Sequence, residues 1–427
     1  MITQTDLYRR LKLAVDGIPA IDTHVHLDAA DPLGPDVTAV VEYHNYFSEV
    51  TGALAAPSFN DRMPPRERLR AMAPFLKMSN RSAHAWMLRE TLRQVYGLDE
   101  ELTLKNCDRL YDESVARRRV PGRFGEICRI AGVSGILVHL PPRPVAQCGA
   151  DDAIFIGLSD LRVPGLPDRQ SLASFEKQSG VAVHSPRDLQ QAAVSYCKRC
   201  AAAGQVGLRV NIPTSCVIRD ATPAETENAF AKAATGKPLS PEETQLLQTT
   251  ALDAAAIGAA EAGLAVQIFL ATGVVSGLSF PRADQHLLDA LMTFVTRHPK
   301  VLFEVYTVVE GFTQPLGILA KYRRNCHVGG CWWFCQFPEI MARTYSLRLD
   351  MIPASKWSAF FSDSYAAEWI VGKMALTRKE LTKALALKVV DGYMTEENAL
   401  ATAREVLFET PCRIYGLPRK QDALHRR

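Results

Sequence analysis

Net charge is nearly absent: 49 basic residues against 46 acidic ones leave +3 over 427 positions. So small an excess gives no reason to expect a nucleic acid or an anionic membrane as partner. The short run Arg117-Arg118-Arg119 reads as a solvated helix end. No uninterrupted apolar run has the length of a bilayer span. The most apolar stretch, Ala251 to Phe280, is broken by Asp253, Glu261 and Gln267 and reads as a buried helix followed by a buried strand. The opening Met1-Ile2-Thr3-Gln4-Thr5-Asp6 carries no basic segment ahead of an apolar one, so no signal peptide is expected. Without one, the 10 cysteines are expected as free thiols in a reducing cytoplasm.

Other familiar devices are missing too. No glycine-rich phosphate loop follows the first apolar run, which weighs against a nucleotide-binding sheet. There are no internal repeats and no low-complexity segments. The one C-x-x-C pair, Cys197 and Cys200, lies inside an amphipathic helical pattern from Leu189 to Ala203. A redox pair normally opens a helix, where the dipole lowers a thiol pKa, so no redox role is expected here. Cys326, His327, Cys331 and Cys335 do not have the spacing of a zinc knuckle.

What is present is a series of short apolar runs: Ile18–Asp22, Gly135–His139, Ala153–Leu158, Val206–Ile212, Ala265–Ala271, Val301–Tyr306, His327–Trp333 and Ser358–Asp363. They are too short for helices and do not alternate, as expected of strands buried on both faces of a parallel sheet. Helical patterns separate them, with start signals such as Thr222-Pro223-Ala224-Glu225 and Ser185-Pro186-Arg187-Asp188. Eight such units close naturally into a (β/α)8 TIM barrel. We therefore read residues 1–427 as one barrel domain, with 28–129 as a helical insertion over its mouth.

His24-Val25-His26 follows the first run. In an extended chain residues i and i+2 face the same way, so both imidazoles enter one space. At the C-terminal end of a barrel strand that space is the active-site mouth. Neutral imidazole suits zinc, and also manganese, iron or cobalt. Asp22 stands where it could orient these ligands. Asp363 ends the last run, beside the first strand in a closed barrel. A His24, His26 and Asp363 set would hold one divalent metal, zinc first, and leave positions open for water or substrate. The competing reading of Asp363 is a helix N-cap, a role that Ser362 or Ser364 could also fill.

His24-Val25-His26, Gly330-Cys331-Trp332-Trp333-Phe334 and Ser362-Asp363-Ser364 together resemble the uronate isomerase (glucuronate isomerase) family of the amidohydrolase superfamily, a set of metal-dependent (β/α)8 barrels. The resemblance runs over most of the chain and is strongest from Arg323 to Leu349 and from Phe408 to Leu417. It implies aldose–ketose isomerisation of a hexuronate or related sugar acid by a cytoplasmic enzyme. His24, His26 and Asp363 match the family's metal ligands. Trp332 and Trp333 match an aromatic pair beside the substrate, and His44 matches a pocket position.

The sequence departs from the family elsewhere. Tyr365 stands where the family usually has Arg, and Gly157 about where the third strand carries another. Asn45 stands in place of a Tyr, and Phe269 at a frequent His. The second strand ends His139-Leu140-Pro141-Pro142, where Thr and acidic residues usually precede Pro. Arginine grips a carboxylate bidentately, and neither Tyr nor Gly can replace it. A divergent member is therefore expected, with Arg209 or Arg143 as substitute anchor and His139 on the substrate side. Asp363, His44 and Tyr365 are the acid/base candidates. The alternative is a metal-dependent hydrolase or decarboxylase acting on a small organic acid. The partner in either case is a small anionic molecule, and a homo-oligomer is open.

Overall fold

A computed structural model describes residues 2–43, 48–53, 62–148, 154–161, 163, 169–212, 214–275 and 278–418. Seven parallel strands form one curved sheet in the order β1-β2-β3-β4-β5-β8-β9. They are β1 (Ala20–Val25), β2 (Val133–His139), β3 (Phe155–Asp160), β4 (Gly207–Asn211), β5 (Ala265–Leu270), β8 (Phe303–Thr307) and β9 (Cys326–Val328). Every residue of β1, β5 and β8 is buried, including the polar Asp22, Thr23, His24, Gln267 and Glu304 that interrupt their apolar runs. β1 starts and ends later than expected from the sequence, so that His24 lies within it.

The eighth stave is the extended segment 357–364, which is not a regular strand. It nevertheless closes the ring. Ser358 N–H donates to Val328 O at 3.0 Å, Asp363 N–H to His24 O at 3.0 Å, and His26 N–H to Ser364 O at 2.9 Å. The ladder is interrupted because side chains take its backbone groups. Asp22 Oδ1 accepts from Ser362 N–H at 2.8 Å, and Thr23 Oγ1 donates to Phe360 O at 3.2 Å. Asp363 itself has φ of 52°, outside the range of a strand.

The seventh strand is shorter than expected. It ends before Gly329, where any Cβ would come within 2.2 Å of the Tyr306 ring. An antiparallel hairpin, β6 (Thr272–Val275) with β7 (Leu278–Pro281), was not anticipated at all. Ala271, at φ of 72°, swings the chain out of β5 into it.

Helices cover the sheet. Those at Pro223–Ala234 and Pro241–Ala262 open with full capping boxes, Thr222 with Glu225 and Ser240 with Glu243. Between β1 and β2 lie helices Val37–Val41, Pro65–Met78, Ala83–Tyr96, Cys107–Arg118 and Arg123–Ala131. At the opposite end of the barrel, Phe408, Cys412, Ile414 and Tyr415 pack against Ile21, Leu137, Leu158 and Ala265 and plug the interior. No helix among the described residues is long and apolar enough to cross a membrane. The cysteines are all free, and all but Cys148 are buried.

Candidate metal centre and substrate pocket

β1 delivers His24 into the barrel axis and His26 to its mouth. Their Nε2 atoms lie 3.3 Å apart. β2 ends on His139, whose Nε2 is 3.4 Å from His24 Nε2. Asp363 Oδ1 lies 3.2 Å from His26 Nε2 and 3.8 Å from His24 Nε2. Asp363 Oδ2 accepts the Trp332 indole N–H at 3.0 Å. His24, His26 and His139 form a triad able to bind a metal, with ligand nitrogens within 4.8 Å of one another.

A chain of buried hydrogen bonds determines which nitrogen of His24 faces this space. The Gln267 amide donates to Thr23 O at 2.5 Å and to Tyr415 OH at 2.7 Å. With both protons committed, Gln267 Oε1 is left to face His24 Nδ1 at 2.8 Å, so Nδ1 carries the proton. His24 Nε2 is therefore an unprotonated lone pair, the form a metal requires. Tyr415 in turn donates to the fully buried Glu304, which also accepts from Ser358 Oγ and, at 2.5 Å, from Tyr306 OH. Tyr306 OH meets Thr23 Oγ1 at 2.8 Å, which closes the network back onto β1.

Electrostatics agree with that assignment. Burial pushes the His24 pKa well below its ordinary value, and the neighbouring His139, His26 and Arg209 add to the shift. Burial, then His26 and Arg209, hold His139 down to about 3. Both rings are thus neutral and ligand-competent. For Asp363, burial works upward, but the His26 contact, the Lys373 charge and the Trp332 indole outweigh it and leave the carboxyl below its usual range. Burial raises the Asp22 carboxyl to about 7. Its Oδ1 holds the Ser362 amide, while Oδ2 has no partner among the described residues.

Backbone strain concentrates here. Among the described residues, the non-glycine positions with positive φ are Ala271, Trp333 and Asp363. A strained conformation costs about 1–3 kcal/mol and persists only where its surroundings impose it. Trp333 stacks on Phe334 with centroids 4.5 Å apart.

A cavity of about 1280 Å³ opens onto the cluster. Its walls include His26, Tyr43, Arg209, Trp332, Trp333 and Tyr365. The Arg209 guanidinium lies 4.9 Å over the Phe269 ring, and that ring sits 4.5 Å from His24. Arg209 Nε has no hydrogen-bond partner among the described residues. Tyr365 is 56% exposed and stacks on His26, with centroids 4.7 Å apart. Arg143 is exposed on the turn after β2 and does not line this cavity. His44 lies outside the described residues. At Gly157 a Cβ would meet Gln205 Cγ at 2.8 Å, so a side chain there would have to displace Gln205, whose amide holds Leu140 O and Pro141 O.

Sequence reading missed Gln267, Glu304 and Tyr415. A signal existed for the first: Gln267 interrupts a wholly buried apolar strand, and a buried amide must find partners.

The parallel barrel, with first-strand histidines at its mouth, has the amidohydrolase-type fold. Within that class the chain resembles uronate isomerases over almost its whole length. It is 23% identical to the uronate isomerase of Sphingopyxis alaskensis over 469 residues, which cover 97% of this chain and 96% of that protein. The crystal structure of a uronate isomerase from Thermotoga maritima superposes with a TM-score of 0.85 at 14% identity, covering 96% of this chain and 97% of that one. A glucuronate isomerase from Caulobacter crescentus gives 0.83 at 20% identity, covering 97% and 95%. No protein-family model matches the chain.

Proposed function

We propose that this chain is a metal-dependent aldose–ketose isomerase acting on a hexuronate or related sugar acid in the reducing cytoplasm. The observation that carries the reading is the convergence of His24, His26 and Asp363 on one point at the mouth of a barrel that resembles uronate isomerases along nearly its full length. The helical insertion 28–129 contributes Tyr43 and Arg118 to the walls of the same cavity.

The residues fit a divalent metal. Gln267 leaves His24 Nε2 as the lone pair that would ligate, and Asp363 Oδ1 faces both first-strand imidazoles. Zinc is the expected occupant, with manganese, iron or cobalt as alternatives. Such an ion supplies Lewis acidity that polarises a substrate carbonyl or hydroxyl oxygen.

The remaining work falls to the chain. Isomerisation takes a proton from C2 of the open aldose, passes through an enediol and delivers a proton to C1, while the carbonyl moves from C1 to C2. Asp363 borders the reacting end and is the first acid/base candidate. Tyr365, stacked on His26, and His44 are the others. Trp332 fixes the Asp363 carboxylate through Oδ2. Arg209 stands one aromatic ring away from His24, a distance suited to the carboxylate of an acid whose six-carbon chain spans roughly 6 Å. Its guanidinium fork binds such a carboxylate bidentately.

The test is a panel of sugar acids followed by NMR in deuterated water. A ketose product of unchanged molecular formula, apart from deuterium at C1, is expected. A product lighter by carbon dioxide or heavier by water would assign the site to decarboxylation or hydrolysis instead.

A further inference from the structure

His139 has an unexplained position. Its Nε2 points at His24 Nε2, 3.4 Å away, and not into the open cavity. His26 Nε2 approaches the same atom from 3.3 Å. Gln267 has already placed the His24 proton on Nδ1, so His24 Nε2 offers a single lone pair. One N–H can occupy one lone pair, and two imidazoles are aimed at it. His26 Nε2 also has Asp363 Oδ1 at 3.2 Å, so the three Nε2 atoms and this carboxylate oxygen crowd one point, while His139 Nδ1 is buried with no hydrogen-bond partner among the described residues.

A shared cation accounts for the spacing of these atoms. Bonds of about 2.0–2.1 Å to a metal place adjacent ligand atoms roughly 2.9–3.4 Å apart, from octahedral to tetrahedral geometry. The His24–His26, His24–His139 and His26–Asp363 separations of 3.3, 3.4 and 3.2 Å fall in that interval, and His24–Asp363, at 3.8 Å, lies between it and the roughly 4.1 Å of two ligands on opposite sides of an octahedral ion. His26 and His139 lie nearly parallel, at 23° with centroids 5.4 Å apart. His24 stands edge-on to His26 and His139, at interplanar angles of 82° and 77°.

We propose that His139 is a fourth protein ligand of the ion held by His24, His26 and Asp363. The proposal rests on the metal reading given above and extends it. The family resemblance supplies no ligand at the end of the second strand. A three-imidazole, one-carboxylate set fills a tetrahedral ion completely and leaves no place for a substrate oxygen. To act on substrate, the ion must then accept five or six ligands. That moves the preference from zinc toward manganese, iron or cobalt.

The experiment uses protein produced in cobalt-supplemented minimal medium with ¹⁵N-labelled histidine. Ring resonances of ligating histidines are displaced far from the diamagnetic range by Co²⁺. Three displaced histidine sets are expected in the wild type, and this count needs no variant. His139→Gln is expected to remove one set, alter the visible cobalt bands and weaken metal retention against a competing chelator by at least about 10–100-fold. Two displaced sets in the wild type, or superimposable spectra and retention in His139→Gln, would overturn the fourth ligand while leaving the metal centre in place. Protein that binds no cobalt, zinc, manganese or iron would overturn the metal reading itself, and this proposal with it.

Discussion

Trp332 Nε1 donates to Asp363 Oδ2 at 3.0 Å, joining the turn after β9 to the carboxylate that faces the first-strand histidines. Two elements distant in sequence thus share one charge-assisted hydrogen bond. Trp332→Phe should remove it and keep the ring's edge-on packing against Phe269. A bond to a charged acceptor contributes about 1.5–3 kcal/mol. Metal affinity is expected to fall about 10–100-fold, read by chelator competition. Unchanged affinity would reduce Trp332 to a packing role.

Purified protein should carry about one divalent ion per chain, and His24→Ala/His26→Ala should lose it. Full metal content in that double variant would remove the assignment. The backbone of Asp363 allows a finer comparison. At φ of 52°, Asn is tolerated far better than Ala. Asp363→Asn should lose metal with little change in melting temperature, whereas Asp363→Ala should lose metal and about 1 kcal/mol of stability besides. Calorimetry of the metal-free proteins separates the two effects.

Arg209→Met should impair turnover of the acid substrate about 10–100-fold, chiefly through KM, with an unaltered circular dichroism spectrum. The same argument runs in reverse for the missing arginines. Tyr365 and Gly157 remove two cationic contacts expected from the family resemblance. At about 1.5–3 kcal/mol each, that is about two to four decades of efficiency. D-Glucuronate and D-galacturonate should therefore be poor substrates beside a related acid read by Arg209. Steady-state rates across the panel decide the matter, and fast turnover of glucuronate would refute it.

His327 gives a pH dependence away from the metal. Burial, then the charge of Lys356, lowers its pKa to about 4, against roughly 6.5 in an unfolded chain. Between those values the unfolded chain binds a proton that the native chain refuses, so stability rises with pH across the window and is flat above it. Acidification from pH 6.5 toward 4 should cost on the order of 3 kcal/mol from this residue. His327→Gln should flatten the pH profile of the urea midpoint, and parallel profiles would exclude His327 as the source.

The barrel was legible because buried parallel strands leave short, mostly apolar runs, and the run that became β5, broken only by Gln267, is an example. The convergence of His24 and His26 was legible because spacing by two survives in any extended chain. Segment 358–363 looked like another such run, but its regular ladder was lost to the side chains of Asp22 and Thr23, a competition invisible without the neighbouring stave. The β6–β7 hairpin hid behind one residue, Ala271, whose left-handed backbone nothing in its chemistry announces. His139 was read as facing substrate, since only the assembled barrel brings its ring against His24.

The hydrogen bond from Gln267 to Tyr415 has a consequence in time. Gln267 lies 243 residues after His24, and Tyr415 a further 148 residues on. Synthesis runs from the N-terminus, so His24 leaves the ribosome long before the hydroxyl that completes its proton arrangement. A nascent barrel emerging strand by strand would carry an imidazole free to tautomerise, and a centre that grips ions loosely. A metal centre built on His24 would thereby be completed only with the docking of the C-terminal plug, the last described part of the chain to be made.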